Sequence, residues 1–144
     1  MFEFYPRQVA AIQQLAPRLM AHGACIDASD TGTGKTITAL GVAQALGRTP
    51  LVVCPKSILT QWERAARLVG VGFEGIVNVE KLRTGRQKWV SKGSRKSDWF
   101  WKLPEKPLII WDEVQNSGGN RTLNAYLLAN LKFKAPVLLS LIHI

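Results

Sequence analysis

Ser29-Asp30-Thr31-Gly32-Thr33-Gly34-Lys35-Thr36 lies between a short apolar run, Ala24 to Ala28, and an apolar-periodic stretch, Lys35 to Leu46. It reads as a phosphate-binding loop. Gly32 and Gly34 let the backbone turn, so that successive N–H groups from Asp30, Thr31, Gly32, Thr33 and Gly34 face one concavity. The helix that follows adds the positive end of its dipole. Lys35 then reaches the β and γ phosphates, and the Thr36 hydroxyl holds Mg²⁺. Ser29 stands where the pattern G-x-x-x-x-G-K-[ST] has its first glycine, and a serine is small enough for the loop to close. Alone, the octet also fits a glycine-rich turn without a ligand, so its flanks carry the argument. Ala24 to Ala28 reads as a buried strand presenting the loop. In Lys35 to Leu46, residues Ile37, Leu40, Ala43 and Leu46 share one helical face, and Gly47 stops the helix. Strand, loop and helix come in the order a phosphate loop requires.

Further along, Leu51-Val52-Val53-Cys54 is a second strand closed by Pro55. Ser57 is expected to cap a helix carrying Ile58, Trp62, Ala65, Ala66 and Val69. Strands alternating with helices imply an α/β fold: a parallel sheet with helices on both faces, its ligands gathered at the strands' carboxyl ends. Trp62 reads as a core anchor. Pro55-Lys56-Ser57 sits at a strand end beside a helix N-terminus, where backbone amides and one lysine suit a phosphate. Upstream, Val9, Ile12, Leu15, Leu19 and Met20 mark a helix that starts at Pro6, ends at Gly23 and is kinked or divided at Pro17. Gln8 there reads as a solvated helix residue.

Phe73 to Val79 reads as another strand. Pro107-Leu108-Ile109-Ile110-Trp111 is a further one, ending in Asp112-Glu113-Val114-Gln115. Adjacent carboxylates at the end of a buried strand are costly without a cation or a proton to handle. With a phosphate loop upstream, Asp112 is assigned to Mg²⁺ and Glu113 to orienting and deprotonating an attacking water. Leu123, Tyr126, Leu127, Ala129 and Leu131 suggest a helix, and Ala135 to Leu139 a last strand.

Composition sets the outer bounds. The chain has 144 residues, 47% hydrophobic and 20% charged, which fits one globular domain and excludes a disordered one. It has no apolar run of membrane-spanning length, and MFEFYPRQVA lacks the layout of a signal peptide. The expectation is a soluble, cytoplasmic protein without a membrane partner. Cys25 and Cys54 fall in strand runs and read as structural thiols. A formal charge of +9 with a pI near 10.0 favours polyanionic partners, nucleic acid above all. Much of that charge lies between Lys81 and Lys106, where nine Lys or Arg face two acids, Asp98 and Glu105, with Trp89, Trp99 and Trp101 interleaved. Two readings stay open for this segment. Its basic and aromatic side chains track and stack on a polynucleotide, or it is an exposed insertion whose tryptophans pack back onto the domain.

Placed in order, Gln8, the phosphate loop, Pro55-Lys56, Trp62 and the Asp-Glu element resemble the first RecA-like lobe of superfamily 2 helicases and translocases. The Swi/Snf-type and phage-type DNA helicases are the nearest flavour. The resemblance implies a P-loop NTPase lobe, incomplete as an enzyme, spanning residues 1–138 with a basic insertion at about 84–106. It implies ATP and Mg²⁺ as cofactors and nucleic acid, DNA rather than RNA, as partner. Gln8 then reads adenine, Pro55, Lys56 and Ser57 lie near the nucleic-acid backbone, and Gln115, where histidine is commoner, couples ATP to the next motif. Asn78-Val79-Glu80 resembles a segment that usually carries an aromatic before the glutamate, and Val79 replaces it. A small residue and a threonine are expected after Val137-Leu138-Leu139-Ser140, yet Leu141-Ile142-His143-Ile144 follows. Leu139 to Ile144 matches one reading frame of a transposon-derived sequencing adapter and is expected to be a non-native tail. The family closes two lobes on ATP, with arginine fingers from the second, so this lobe alone is expected to hydrolyse ATP slowly or not at all. Two other classes remain: a P-loop ATPase acting on proteins or small molecules, and a nucleic-acid-binding remnant without catalysis.

Overall fold

Apolar runs of four to six residues, too short for helices and bounded by Gly, Pro or polar residues, become the strands of one parallel sheet. In the computed structural model these are β1 (Ala24–Asp27), β2 (Thr49–Cys54), β3 (Gly75–Asn78), β6 (Pro107–Asp112) and β7 (Val137–Ser140), in the spatial order β1-β7-β6-β2-β3. Between β3 and β6 the chain forms an antiparallel hairpin, β4 (Val90–Lys92) and β5 (Trp99–Trp101). The structure describes residues 2–27, 34–73, 75–82, 84, 87–95, 97–103, 105–112, 127, 129–131 and 134–140, leaving aside the side chains of Val79 and Ser140. Ser29, Asp30, Thr31, Gly32, Thr33, Glu113, Gln115 and residues 141–144 lie outside these.

Both faces of the sheet are covered, which is why β2 and β6 read as continuous apolar runs rather than alternating ones. Val52, Cys54, Leu108, Ile110 and Leu138 face the helices α1 (Pro6–His22), α2 (Lys35–Leu46) and α3 (Leu59–Val69), meeting Leu19, Leu40, Ala43 and Trp62. Leu51, Val53, Ile109, Trp111 and Val137 point the other way, onto Leu82 of the one-turn helix α4 (Val79–Leu82), Val90, Trp99 and Trp101 of the hairpin, and Leu127 and Leu131. Each such apolar side chain, taken fully out of water, contributes about 1.5–3 kcal/mol. The second face is thus shared between helical segments and a tryptophan-bearing hairpin. Among the described residues, no helix is long and apolar enough to cross a membrane.

Local structure departs from the sequence expectation at three places. Helix α1 is not divided at Pro17 but continues through it, the division being the part of the expectation that fails. Pro17 and Gln13, whose carbonyl loses its helical partner there, are both exposed, so water can serve that carbonyl. Ser57 does not cap α3: a 3-10 turn, Lys56–Ile58, precedes the helix, and Ile58 holds the cap position without a side-chain bond. The strand expected over Phe73 to Val79 is shorter, because the Asn78 carboxamide oxygen accepts the Lys81 N–H at 2.7 Å and turns the chain into α4.

Candidate functional site

The carboxyl ends of β1, β7 and β6 are level. Asp27 pairs with Ser140, and Ser140 pairs with Asp112, so one row crosses three neighbouring strands. Two strand spacings put the Asp27 and Asp112 backbones roughly 10 Å apart. Asp27 is the last residue of β1 before the phosphate-loop octet, and it is buried. The opening of α2 and the end of β6 therefore belong to one end of the sheet, the end where parallel α/β folds hold ligands. A separate open pocket of about 740 Å³ lies among Leu19, Gly23, Ala24, Arg48, Pro136 and Val137, at the opposite end of β1 and β7.

Gly34 is the N-cap of α2, with φ of +75°, and its carbonyl accepts the Thr38 N–H at 2.8 Å. A left-handed backbone favours glycine, and a second constraint acts in the same direction. A Cβ built on Gly34 would overlap the Nε2 of Gln8. Gln8 is only 6% exposed, which corrects its reading as a solvated helix residue. Its Oε1 accepts the Tyr5 N–H at 2.9 Å, fixing the amide across the first turn of α1. Its Nε2 end is thereby set against the backbone where the loop enters α2. Lys35 and Thr36 follow Gly34 as the first residues of the helix, both partly exposed.

Asp112 ends β6, half-buried, and its Oδ2 accepts the indole N–H of Trp62 at 2.9 Å. Asp112 and the Thr36 hydroxyl offer hard oxygen donors, the kind Mg²⁺ takes. On β2, the neighbour of β6, Pro55 leads into the 3-10 turn, with Lys56 and Ser57 exposed. Pro55, Lys56 and Ser57 thus leave the sheet next to the strand that carries Asp112.

The basic segment resolves into the second of its two readings. Trp99 and Trp101 are buried in the core, and Trp89 packs over Gly75. Lys88 and Lys92 stand over the Trp89 and Trp99 rings, each 5.5 Å from the centroid. Of the hairpin's aromatics, Phe100 is the one turned outward, 55% exposed, among the exposed cations Lys88, Lys92, Arg95 and Lys102. Sequence reasoning missed the hairpin, although the alternation Trp99-Phe100-Trp101 carried the period of a strand. It also missed the Trp62 bond to Asp112. The available signal was that a buried indole N–H usually finds a partner.

No family model matches the sequence. A protein of Acanthamoeba polyphaga mimivirus named "Putative ATP-dependent RNA helicase" is 30% identical over 147 residues, covering 90% of this chain and 27% of the relative. The Sulfolobus solfataricus SWI2/SNF2 ATPase core in complex with dsDNA matches in fold with a TM-score of 0.60 at 21% identity, over 97% of this chain and 32% of that one. The chain thus spans about a quarter of the mimivirus relative and about a third of the SWI2/SNF2 core. Sequence likeness to the one and shared fold with the other point the same way: the chain has the fold of a RecA-like α/β lobe and is similar in sequence to a protein bearing a helicase name.

Proposed function

We propose that this chain is the ATP-binding lobe of a nucleic-acid-dependent ATPase, a helicase or translocase that hydrolyses Mg-ATP to drive movement on a polynucleotide. The observation that carries the reading is the level row Asp27, Ser140 and Asp112, which sets the strand leading to Gly34-Lys35-Thr36 and the strand carrying Asp112 at one end of the sheet. In this reading the amides of Asp30 to Gly34 cradle the phosphates, the Lys35 ammonium draws the β and γ oxygens, and Gln8, held at the loop's exit, reads the adenine edge. Thr36 and Asp112 would hold Mg²⁺, which supplies charge neutralisation across the β and γ phosphates. Glu113 takes a proton from the attacking water as its oxygen bonds to the γ phosphorus and the bond to the bridging oxygen breaks, releasing ADP and phosphate. Gln115 passes the state of the site onward, and a second RecA-like lobe is the expected source of arginine fingers.

For the polynucleotide we favour DNA: the fold neighbour was captured on dsDNA, whereas the mimivirus relative bears an RNA helicase name. Pro55, Lys56 and Ser57 are the assigned backbone contacts. Competition between duplex DNA and duplex RNA of one sequence separates the two, tighter DNA binding being expected.

The reading is tested by Lys35→Ala in a nucleotide-binding titration with a fluorescent ATP analogue. ATP affinity is expected to collapse while DNA binding without nucleotide persists. Undiminished ATP affinity would refute the ATP-site assignment. Measurable DNA binding with no ATP affinity in the unsubstituted protein would instead favour a non-catalytic nucleic-acid-binding remnant.

A further inference from the structure

Trp62 is 2% exposed and fills the helix-side core beside Ala65, Ala66 and Val69. Apolar burial alone is satisfied by any large hydrophobic side chain. What an indole adds is a single N–H, and here that N–H is directed at a carboxylate, Asp112 Oδ2, 2.9 Å away and 50 residues further along the chain. Two other buried tryptophans show that this fold does not oblige an indole to do so. Trp101 donates to the backbone carbonyl of Leu127 at 2.9 Å, and the Trp99 N–H has no partner among the described residues.

The donor's chemistry matters as much as its position. A neutral N–H restricts the rotation of the carboxylate without itself bringing a charge to it. Carboxylates that bind metals are commonly held in this manner by a hydrogen bond from behind. Trp62 is suited to do it rigidly, because a buried two-ring side chain cannot change rotamer without displacing its core neighbours.

We propose that Trp62 is a positioning residue: its indole N–H sets the orientation in which Asp112 receives the divalent cation of the bound nucleotide. The inference rests on the ATPase reading for the identity of that cation. Trp62→Phe keeps an aromatic ring in the core and removes the N–H. The expected result is a loss of Mn²⁺ affinity of about 10- to 100-fold in the ADP complex, followed by the metal's electron paramagnetic resonance, with metal-free ADP affinity unchanged. In an Asp112→Asn background the same substitution should leave Mn²⁺ affinity where Asp112→Asn had put it. Unaltered Mn²⁺ affinity with a lowered unfolding temperature would make Trp62 structural only, and so would additive losses in the double variant.

If Trp62→Phe does not fold, the unsubstituted protein still decides. One of its five indole N–H resonances should shift on Mg²⁺ addition to the ADP complex and lose that response in Asp112→Asn. No such resonance overturns the proposal. Absence of metal–ADP binding by the unsubstituted protein would overturn the ATPase reading as well, whereas normal binding in both it and Trp62→Phe would overturn the positioning role alone.

Discussion

A side chain at position 34 is opposed twice, once by a φ of +75° and once by the buried amide of Gln8. Gly34→Ala is therefore expected to lower stability by about 1–2 kcal/mol and to weaken ATP binding by displacing Gln8 from the loop's exit. Denaturant unfolding and a nucleotide titration on the same variant check both effects, and an unchanged protein would deny that the two residues are packed together. The glycine was legible in the sequence from the motif, but the burial of Gln8 was not. Spacing along α1 says which residues share a face, and it cannot say that Gly34, from beyond β1, comes to lie against the first turn. Trp62 is a similar case. Its helical spacing announced a core position, and the core is where it lies, yet the bond to Asp112 depends on how far α3 advances along the end of β6, a tertiary quantity.

At the scale of elements, the strands were legible because they are buried on both sides. Continuous runs such as Leu51 to Cys54 and Leu108 to Trp111 leave little room for another reading. The limits of α2 were legible too, since Gly34 and Gly47 adopt positive φ at either end of Lys35–Leu46. The hairpin was obscured by length and charge: its strands are three residues each, set among lysines that dominate the composition. The two tryptophans of β5 supply a test of its packing. Trp101→Phe gives up a hydrogen bond and leaves the Leu127 carbonyl without it, at a cost of about 1–3 kcal/mol beyond the lost ring volume. Trp99→Phe gives up no bond to a described residue, so its cost should be the lost volume alone. Equal destabilisation of the two in urea unfolding would contradict this assignment of partners.

Across the whole molecule, a net charge of +9 is set on a sheet whose ligand end carries both the candidate ATP residues and, one strand further, Lys56. Trp99 and Trp101 of the basic segment are committed to the core and Trp89 packs against it, which leaves Phe100 and the described cations Lys88, Lys92, Arg95 and Lys102 to face solvent. Binding to DNA is then expected to rest chiefly on phosphate contacts and to weaken steeply with salt. If Lys56 contacts one phosphate, Lys56→Ala should weaken binding on every sequence alike and reduce the slope of log affinity against log salt by about one. A slope that stays the same would move the contact elsewhere. The nucleic-acid-dependent ATPase assignment is tested most directly by the steady-state rate of ATP hydrolysis by the full-length protein with and without duplex DNA. Hydrolysis is expected to be stimulated several-fold by DNA and abolished by Lys35→Ala while DNA binding survives. Hydrolysis indifferent to any polynucleotide, or to the loss of Lys35, would contradict that assignment.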